Sequence, residues 1–202
     1  TESTGKQLGL PTASPALPPG ATNLLVLSSG PRSGSTFLGE LLSLPPSTFY
    51  FYEPNQLLAK DLFVQEKISH LLSEFFNCNF SYFNFTSHHL VYRTLRHSSI
   101  RKCLVRKRCG VPDMVKMQEL CRSAQRRVIK TILMPVRWIA GLTENPAENL
   151  KVVHLVRDPR GTFLSARKLG YETPDVKGCQ PITEVRTSFH HNNIISKIFL
   201  EN

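Results

Sequence analysis

No run of about 18 apolar residues occurs in the 202-residue sequence, so it offers no candidate for a membrane-spanning helix. The amino terminus also lacks the charged, apolar and small-residue blocks of a secretory signal. The chain therefore reads either as soluble as written or as a piece whose anchor lies elsewhere. Its five cysteines, Cys78, Cys103, Cys109, Cys121 and Cys179, contain no CxxC pair and no Cys/His spacing of a zinc site, which argues against a metal module. No internal repeat is visible. Acids are scarce: 15 Asp and Glu stand against 25 Lys and Arg, a net charge of +10.

The excess charge is unevenly placed. Between Arg101 and Arg137 eleven basic residues face two acids, Asp113 and Glu119. Such a patch draws polyanions by long-range attraction, so nucleic acid, a sulfated or carboxylated glycan and an anionic membrane face are all candidates, beside a plain solvated helix face. Two glycosylation sequons, Asn79-Phe80-Ser81 and Asn84-Phe85-Thr86, lie close together among aromatics. With the cysteines they lean toward an oxidising lumen, where disulfides can form and an odd thiol is left over.

Residues 1–22, rich in Thr, Ser, Pro and Gly, bury too little apolar surface to offset the entropy of ordering and read as a flexible stem. The folded domain is expected over 23–202. "NLLVLSS" is an apolar run without alternation, as expected of a strand covered on both faces. "STFLGELLSL" reads as a helix stopped by Pro45-Pro46, and "STFYFYE" as a second strand ending at Glu53-Pro54. Leu57, Leu58, Leu62, Ile68, Leu71, Leu72, Phe75 and Phe76 recur at helical spacing and predict one amphipathic helix with a core stripe. "MVKMQELCRSAQRR" predicts a helix, "VIKTILM" a strand, "NPAENL" a turn or short helix and "KVVHLV" a buried strand. In "DPRGTFLSARKLG" Asp158 suits a helix cap, Pro159 the first helical position and Gly170 the stop. Strands alternating with helices imply an α/β domain with a mostly parallel central sheet.

The stretch "SSGPRSGSTFLGELL" has the rhythm of a phosphate cradle. Strand, glycine-bearing loop and helix bring backbone N–H groups and a helix amino terminus to one anion. Gly30 and Gly34 permit tight turns, Ser35 and Thr36 offer hydroxyls and amides, and Arg32 adds a fixed charge. The pattern GxxxxGK[ST] is not met, because Gly30 to Gly34 is one residue short and Ser35 stands where the lysine belongs. A nucleotide triphosphatase is disfavoured, and an ordinary Gly/Ser turn is the plainer alternative. A second stretch, "LVRDPRGTFLSAR", puts Arg157 at the carboxyl end of a predicted strand and Ser165 on the following helix, where the pair could hold a second phosphate. Arg157 could equally pair with Asp158 or cap a neighbouring helix. His154 falls inside a buried strand pattern and reads as a hydrogen-bonded core histidine.

"PRSGSTFLGELL" and "KVVHLVRDPRGTFLSARKLG" resemble, in order, the two binding signatures of the Golgi carbohydrate 6-O-sulfotransferases, which act on galactose, N-acetylglucosamine and N-acetylgalactosamine. "FYFYEP" and "VIKTILMPVRW" resemble further segments of that family, and the likeness runs from about Asn23 to Arg167. The resemblance implies a P-loop-like three-layer α/β fold and 3′-phosphoadenosine 5′-phosphosulfate (PAPS) as sulfuryl donor, with no metal. It implies that Arg32, Ser33, Gly34, Ser35, Thr36 and Phe37 hold the 5′-phosphosulfate and that Arg157 and Ser165 hold the 3′-phosphate. Arg32 would then neutralise the leaving group, and Glu53 would match the glutamate of the family's "FEP" segment and act as base for a sugar 6-hydroxyl. Lys130 and Arg137 resemble basic positions of the middle segment, suited to cofactor, acceptor or a structural ion pair. The implied setting is the Golgi lumen, in a type II membrane protein anchored outside this chain, with an acidic glycan or glycosaminoglycan as partner rather than nucleic acid.

The sequence also departs from that pattern. Ala166 separates Ser165 from Arg167, and the chain stops at Asn202 where the family continues, so the domain is expected to be incomplete at its carboxyl end. A non-catalytic glycan- or nucleotide-binding relative stays open as the alternative, with a phosphoryl-transfer kinase behind it.

Overall fold

The computed structural model describes residues 18–28, 30–58, 64–80, 94–95, 113–132, 134–139, 142, 149–158, 161–162, 164–165, 168 and 196–199. Its strands are β1 (Thr22–Ser28), β2 (Thr48–Tyr52), β3 (Arg126–Ile132), β4 (Leu150–Val156) and β5 (Ser196–Phe199). All pair in parallel, in the order β2-β3-β1-β4-β5. From β1 the chain first moves to one side of the sheet and then returns to build the other, so the carboxyl end of β1 lies where the direction of winding changes. Open parallel sheets offer their ligand crevice at that place.

Alternate residues of each strand enter opposite layers. Leu24, Val26, Tyr50 and Val128 meet helix α1 (Ser35–Leu42) through Leu38 and Leu42. Leu25, Leu27, Phe49, Phe51, Ile129 and Val152 meet helices α2 (Gln65–Phe76) and α3 (Met114–Arg122) on the other face. The result is the α/β domain with a parallel sheet expected from the alternation of strands and helices, in the three layers that the resemblance implies. Phe51 packs edge-on against Phe75 with ring centroids 5.0 Å apart. Each such buried apolar side chain contributes about 1.5–3 kcal/mol.

On α1 only glycine fits position 39, because a Cβ there would come within 2.8 Å of Tyr50 Cζ. The helix ends at Ser43, whose hydroxyl donates to the Glu40 carbonyl at 2.7 Å, just before the two prolines.

Several expected boundaries move. The long helix predicted from Leu57 begins instead at Gln65: Pro54–Leu57 forms its own 3₁₀ turn, and Leu58 is extended (φ −81°, ψ 141°), which breaks the helical path. Leu57 and Leu58 still join the core, so their spacing matched without a shared helix. The helix predicted through Arg127 stops at Arg122, and Arg126 and Arg127 open β3 instead. Met134 falls outside the strand, which ends at Ile132. "NPAENL" lies mostly outside the described residues, as do Pro159 and Gly170. At the front edge β1 begins at Thr22, and Ala21 is already buried.

Cys78 and Cys121 form a disulfide that ties the end of α2 to the end of α3, with 5.7 Å between their Cα atoms. It closes a 43-residue separation, for which chain entropy predicts about 4 kcal/mol of stabilisation. Arg127 lies against it, 2% exposed. Its Nε donates to Cys78 Sγ at 3.1 Å and to the Cys121 carbonyl at 3.0 Å, and its Nη2 donates to the Arg122 carbonyl at 3.0 Å. Burial lowers the Arg127 pKa to about 10, which leaves the side chain charged at neutral pH.

Candidate functional site

The loop after β1 is built to point amides inward. Ser28 ends the strand, accepts from the Gly30 N–H at 3.3 Å and donates to the Gly30 carbonyl at 2.6 Å, while its hydroxyl also meets that of buried Ser33. Arg32 (φ 67°) and Gly34 (φ 92°) both adopt left-handed backbone conformations. Turns of alternating hand aim successive N–H groups at one point, the concavity that binds anions. Such a φ is easy for glycine and costs a side-chain-bearing residue about 1–2 kcal/mol, so Arg32 is held there by its surroundings.

Gly34 is the cap of α1 and has no side chain to satisfy the first-turn amides. Helix α3 makes the contrast plain. There Asp113 accepts from the N–H groups of Val115 at 2.9 Å and Lys116 at 3.3 Å, so its own carboxylate fills the place an anion would take. The amino terminus of α1 has the same electrostatics without the internal acid. Ser35 is buried beneath it, whereas Thr36 and Phe37 are exposed, Phe37 at 70%.

β4 delivers the second group. Arg157 follows the strand directly, and its Nη1 donates to the Arg32 carbonyl at 2.9 Å. Arg32 in turn donates from Nε to Ser165 Oγ at 3.1 Å. Gly161 lies beside this arginine, at a distance where a Cβ would make ordinary contact, 3.4 Å from Arg157 Nε. Arg32, Arg157 and Ser165, 133 residues apart at the extremes, thus form one contiguous cluster. The residues that the sequence assigned to two separate anion-binding roles therefore lie against one another.

Glu53 sits elsewhere on the same carboxyl edge, just after β2. It is 4% exposed and left-handed (φ 47°). Its N–H donates to the Lys130 carbonyl at 2.7 Å, its Oε1 pairs with Lys130 Nζ, and its Oε2 accepts from Gln56. Lys130 is itself buried and lies over the Tyr52 ring, 4.5 Å from the centroid. The sequence singled out Glu53 and Lys130 but not their partners. Gln56 was readable only as a residue three positions on in a turn, and Tyr52 only from strand register, which pairs it with Lys130. Arg137 is exposed on a 3₁₀ turn (Val136–Ile139), and His154 is buried in β4 facing Leu27 in register.

Adjacent strands lie about 4.8 Å apart. In the order β2-β3-β1-β4, Glu53 therefore lies roughly 10 Å to one side of the loop and Arg157 roughly 5 Å to the other.

Comparison with known proteins agrees in kind. The family described as "Sulfotransferase domain" matches residues 23–199. Carbohydrate sulfotransferase 1 of Rattus norvegicus is 29% identical over 185 residues, covering 71% of this chain and 44% of that protein. Carbohydrate sulfotransferase 2 of Mus musculus is 30% identical over 167 residues, 66% of this chain and 32% of that protein. Carbohydrate sulfotransferase 5 of Homo sapiens is 29% identical over 187 residues, 78% and 45% of the two chains. The chain spans less than half the length of these relatives.

Proposed function

The chain belongs to the sulfotransferase family, and on that footing we propose that it transfers a sulfuryl group from PAPS to the 6-hydroxyl of a sugar in a glycan, releasing adenosine 3′,5′-bisphosphate. The observation that carries the reading is the meeting of Arg32, Arg157 and Ser165 beside an uncapped helix amino terminus. A donor with charge at its 5′ and 3′ ends suits two adjoining anion sites, one of amides and one of guanidinium plus hydroxyl. Ser33 shapes the loop from below, and the amides of Gly34, Ser35, Thr36 and Phe37 face the 5′ end.

In the reaction the sugar O6–S bond forms as the S–O bond to the 5′-phosphate breaks. The electron pair goes to the departing phosphate, where the loop amides and Arg32 stabilise it. The hydroxyl proton goes to Glu53. Lys130 is the counter-charge that makes a buried carboxylate tolerable, and Gln56 and Lys130 fix its direction. Arg157 and Ser165 act by holding the 3′-phosphate and thus the line of attack. The basic residues between Arg101 and Arg137 favour an acidic acceptor such as a glycosaminoglycan. The carbohydrate sulfotransferase names of the relatives support a sugar acceptor, and the sequons and the disulfide support a lumenal setting, for which we take the Golgi, with the anchor of a type II membrane protein outside this chain.

The test is transfer of labelled sulfate from PAPS by the full-length protein to keratan, chondroitin and N-acetylglucosamine-terminated acceptors, with the labelled position mapped. Label at O6 of one class is expected. No transfer above background at saturating PAPS would leave only a binding protein, and label at another hydroxyl would overturn the 6-O assignment.

A further inference from the structure

The sequon Asn79-Phe80-Ser81 has no part in the chemistry above, yet its first two residues are built into a folded helix end. Helix α2 stops in a Schellman arrangement. Cys78 is left-handed (φ 55°) and its N–H donates to the Phe75 carbonyl at 3.1 Å, while the Asn79 N–H donates to the Glu74 carbonyl at 2.9 Å. The Asn79 side-chain amide donates to the Glu74 carboxylate as well. Phe80 is 2% exposed and packs among Phe49, Phe51 and Phe75, with centroids 6.1, 5.9 and 6.0 Å away. On the other side Cys78 is locked to Cys121. In the folded chain Asn79 is tied at its main-chain nitrogen and at its side-chain nitrogen, and the residue after it is in the core.

From this geometry we propose that Asn79 is an N-glycosylation site modified before the Cys78–Cys121 disulfide closes, and withheld from modification afterwards. The inference rests on the lumenal setting of the proposed function, not on its chemistry. In the modification the Asn79 Nδ2–C1 bond of the first sugar forms, the C1–O bond to a polyprenyl pyrophosphate breaks, and one amide proton leaves. The glycosylated side-chain amide retains one N–H. An enzyme gripping the sequon would have to pull Phe80 out of its aromatic neighbours and open the cap, which requires local unfolding. Synthesis supplies a window: Cys121 lies 43 residues beyond Cys78, so Asn79 reaches the lumen ahead of the disulfide partner.

Two measurements test this. The full-length protein carrying Asn84→Gln, which leaves one of the two sequons, is expressed in animal cells, and glycosidase release in heavy-oxygen water followed by peptide mass spectrometry reads Asn79. Sugar on Asn79, absent in the Ser81→Ala control, is expected. The unglycosylated chain is then offered to oligosaccharyltransferase with a polyprenyl-pyrophosphate oligosaccharide, either disulfide-closed or reduced and alkylated. The closed form should react at least about tenfold more slowly, reflecting the cost of local opening. An empty Asn79 in cells, or equal rates for the two forms, overturns the proposal. Occupancy is read without any sulfate transfer, so a failed transfer assay with sugar present removes the enzymatic reading alone.

Discussion

Arg127 and Lys130 stand three residues apart on β3, on opposite faces, and each is 2% exposed. Arg127, near the amino end of the strand, is held by two main-chain carbonyls and a disulfide sulfur, with no carboxylate partner among the described residues. Lys130, near the carboxyl end, is paired with the carboxylate of Glu53, a residue in a strained backbone conformation. The first arrangement stitches α3 and the disulfide to the sheet. The second puts two buried opposite charges at the edge where ligands of parallel sheets bind. A buried pair of that kind is seldom the most stable filling of its volume.

Substitutions break the comparison most strongly at Lys130. Lys130→Met strands a buried carboxylate and should cost about 3–5 kcal/mol in chemical denaturation. The double variant Lys130→Met with Glu53→Gln should recover most of that loss and still transfer no sulfate; recovery of transfer would remove Glu53 and Lys130 from the reaction. Next in size is Cys121→Ser, which should lower stability by about 2–4 kcal/mol, measured the same way under oxidising conditions. Arg127→Met should cost about 1.5–3 kcal/mol in thermal or denaturant unfolding, the scale of losing charged hydrogen bonds, and should leave nucleotide affinity unchanged. The smallest effect falls at the closed helix start: Asp113→Ala should lose about 1 kcal/mol of stability by removing the cap.

The sequence made the layers and the strand–loop–helix turn after β1 legible because both rest on local signals. Unalternated apolar runs mark strands covered on both faces, and Gly34 followed by Ser35 and Thr36 marks an open helix start. Arg157 and Ser165 could be named from position after a strand and on a helix, but their contact with Arg32 is a matter of sheet order, which places β4 beside β1. The long helix from Leu57 went wrong because apolar spacing reports a shared face and not a continuous backbone; the extended Leu58 carries the same burial with a break in the path. The role of Arg127 was hidden for a similar reason. Within "QRR" it reads as one more charge of a basic run, and only the pairing of β3 with its neighbours turns it inward. The pairing of Cys78 with Cys121 could not be deduced from five cysteines.

The most direct test of the account is isothermal titration of the protein with adenosine 3′,5′-bisphosphate, and with ATP and magnesium, for wild type, Arg32→Ala and Arg157→Ala. The account predicts a preference for the 3′-phosphorylated nucleotide without metal, weakened by more than about 1 kcal/mol in each variant. Equal affinity for ATP, or variants that bind as wild type, would contradict it.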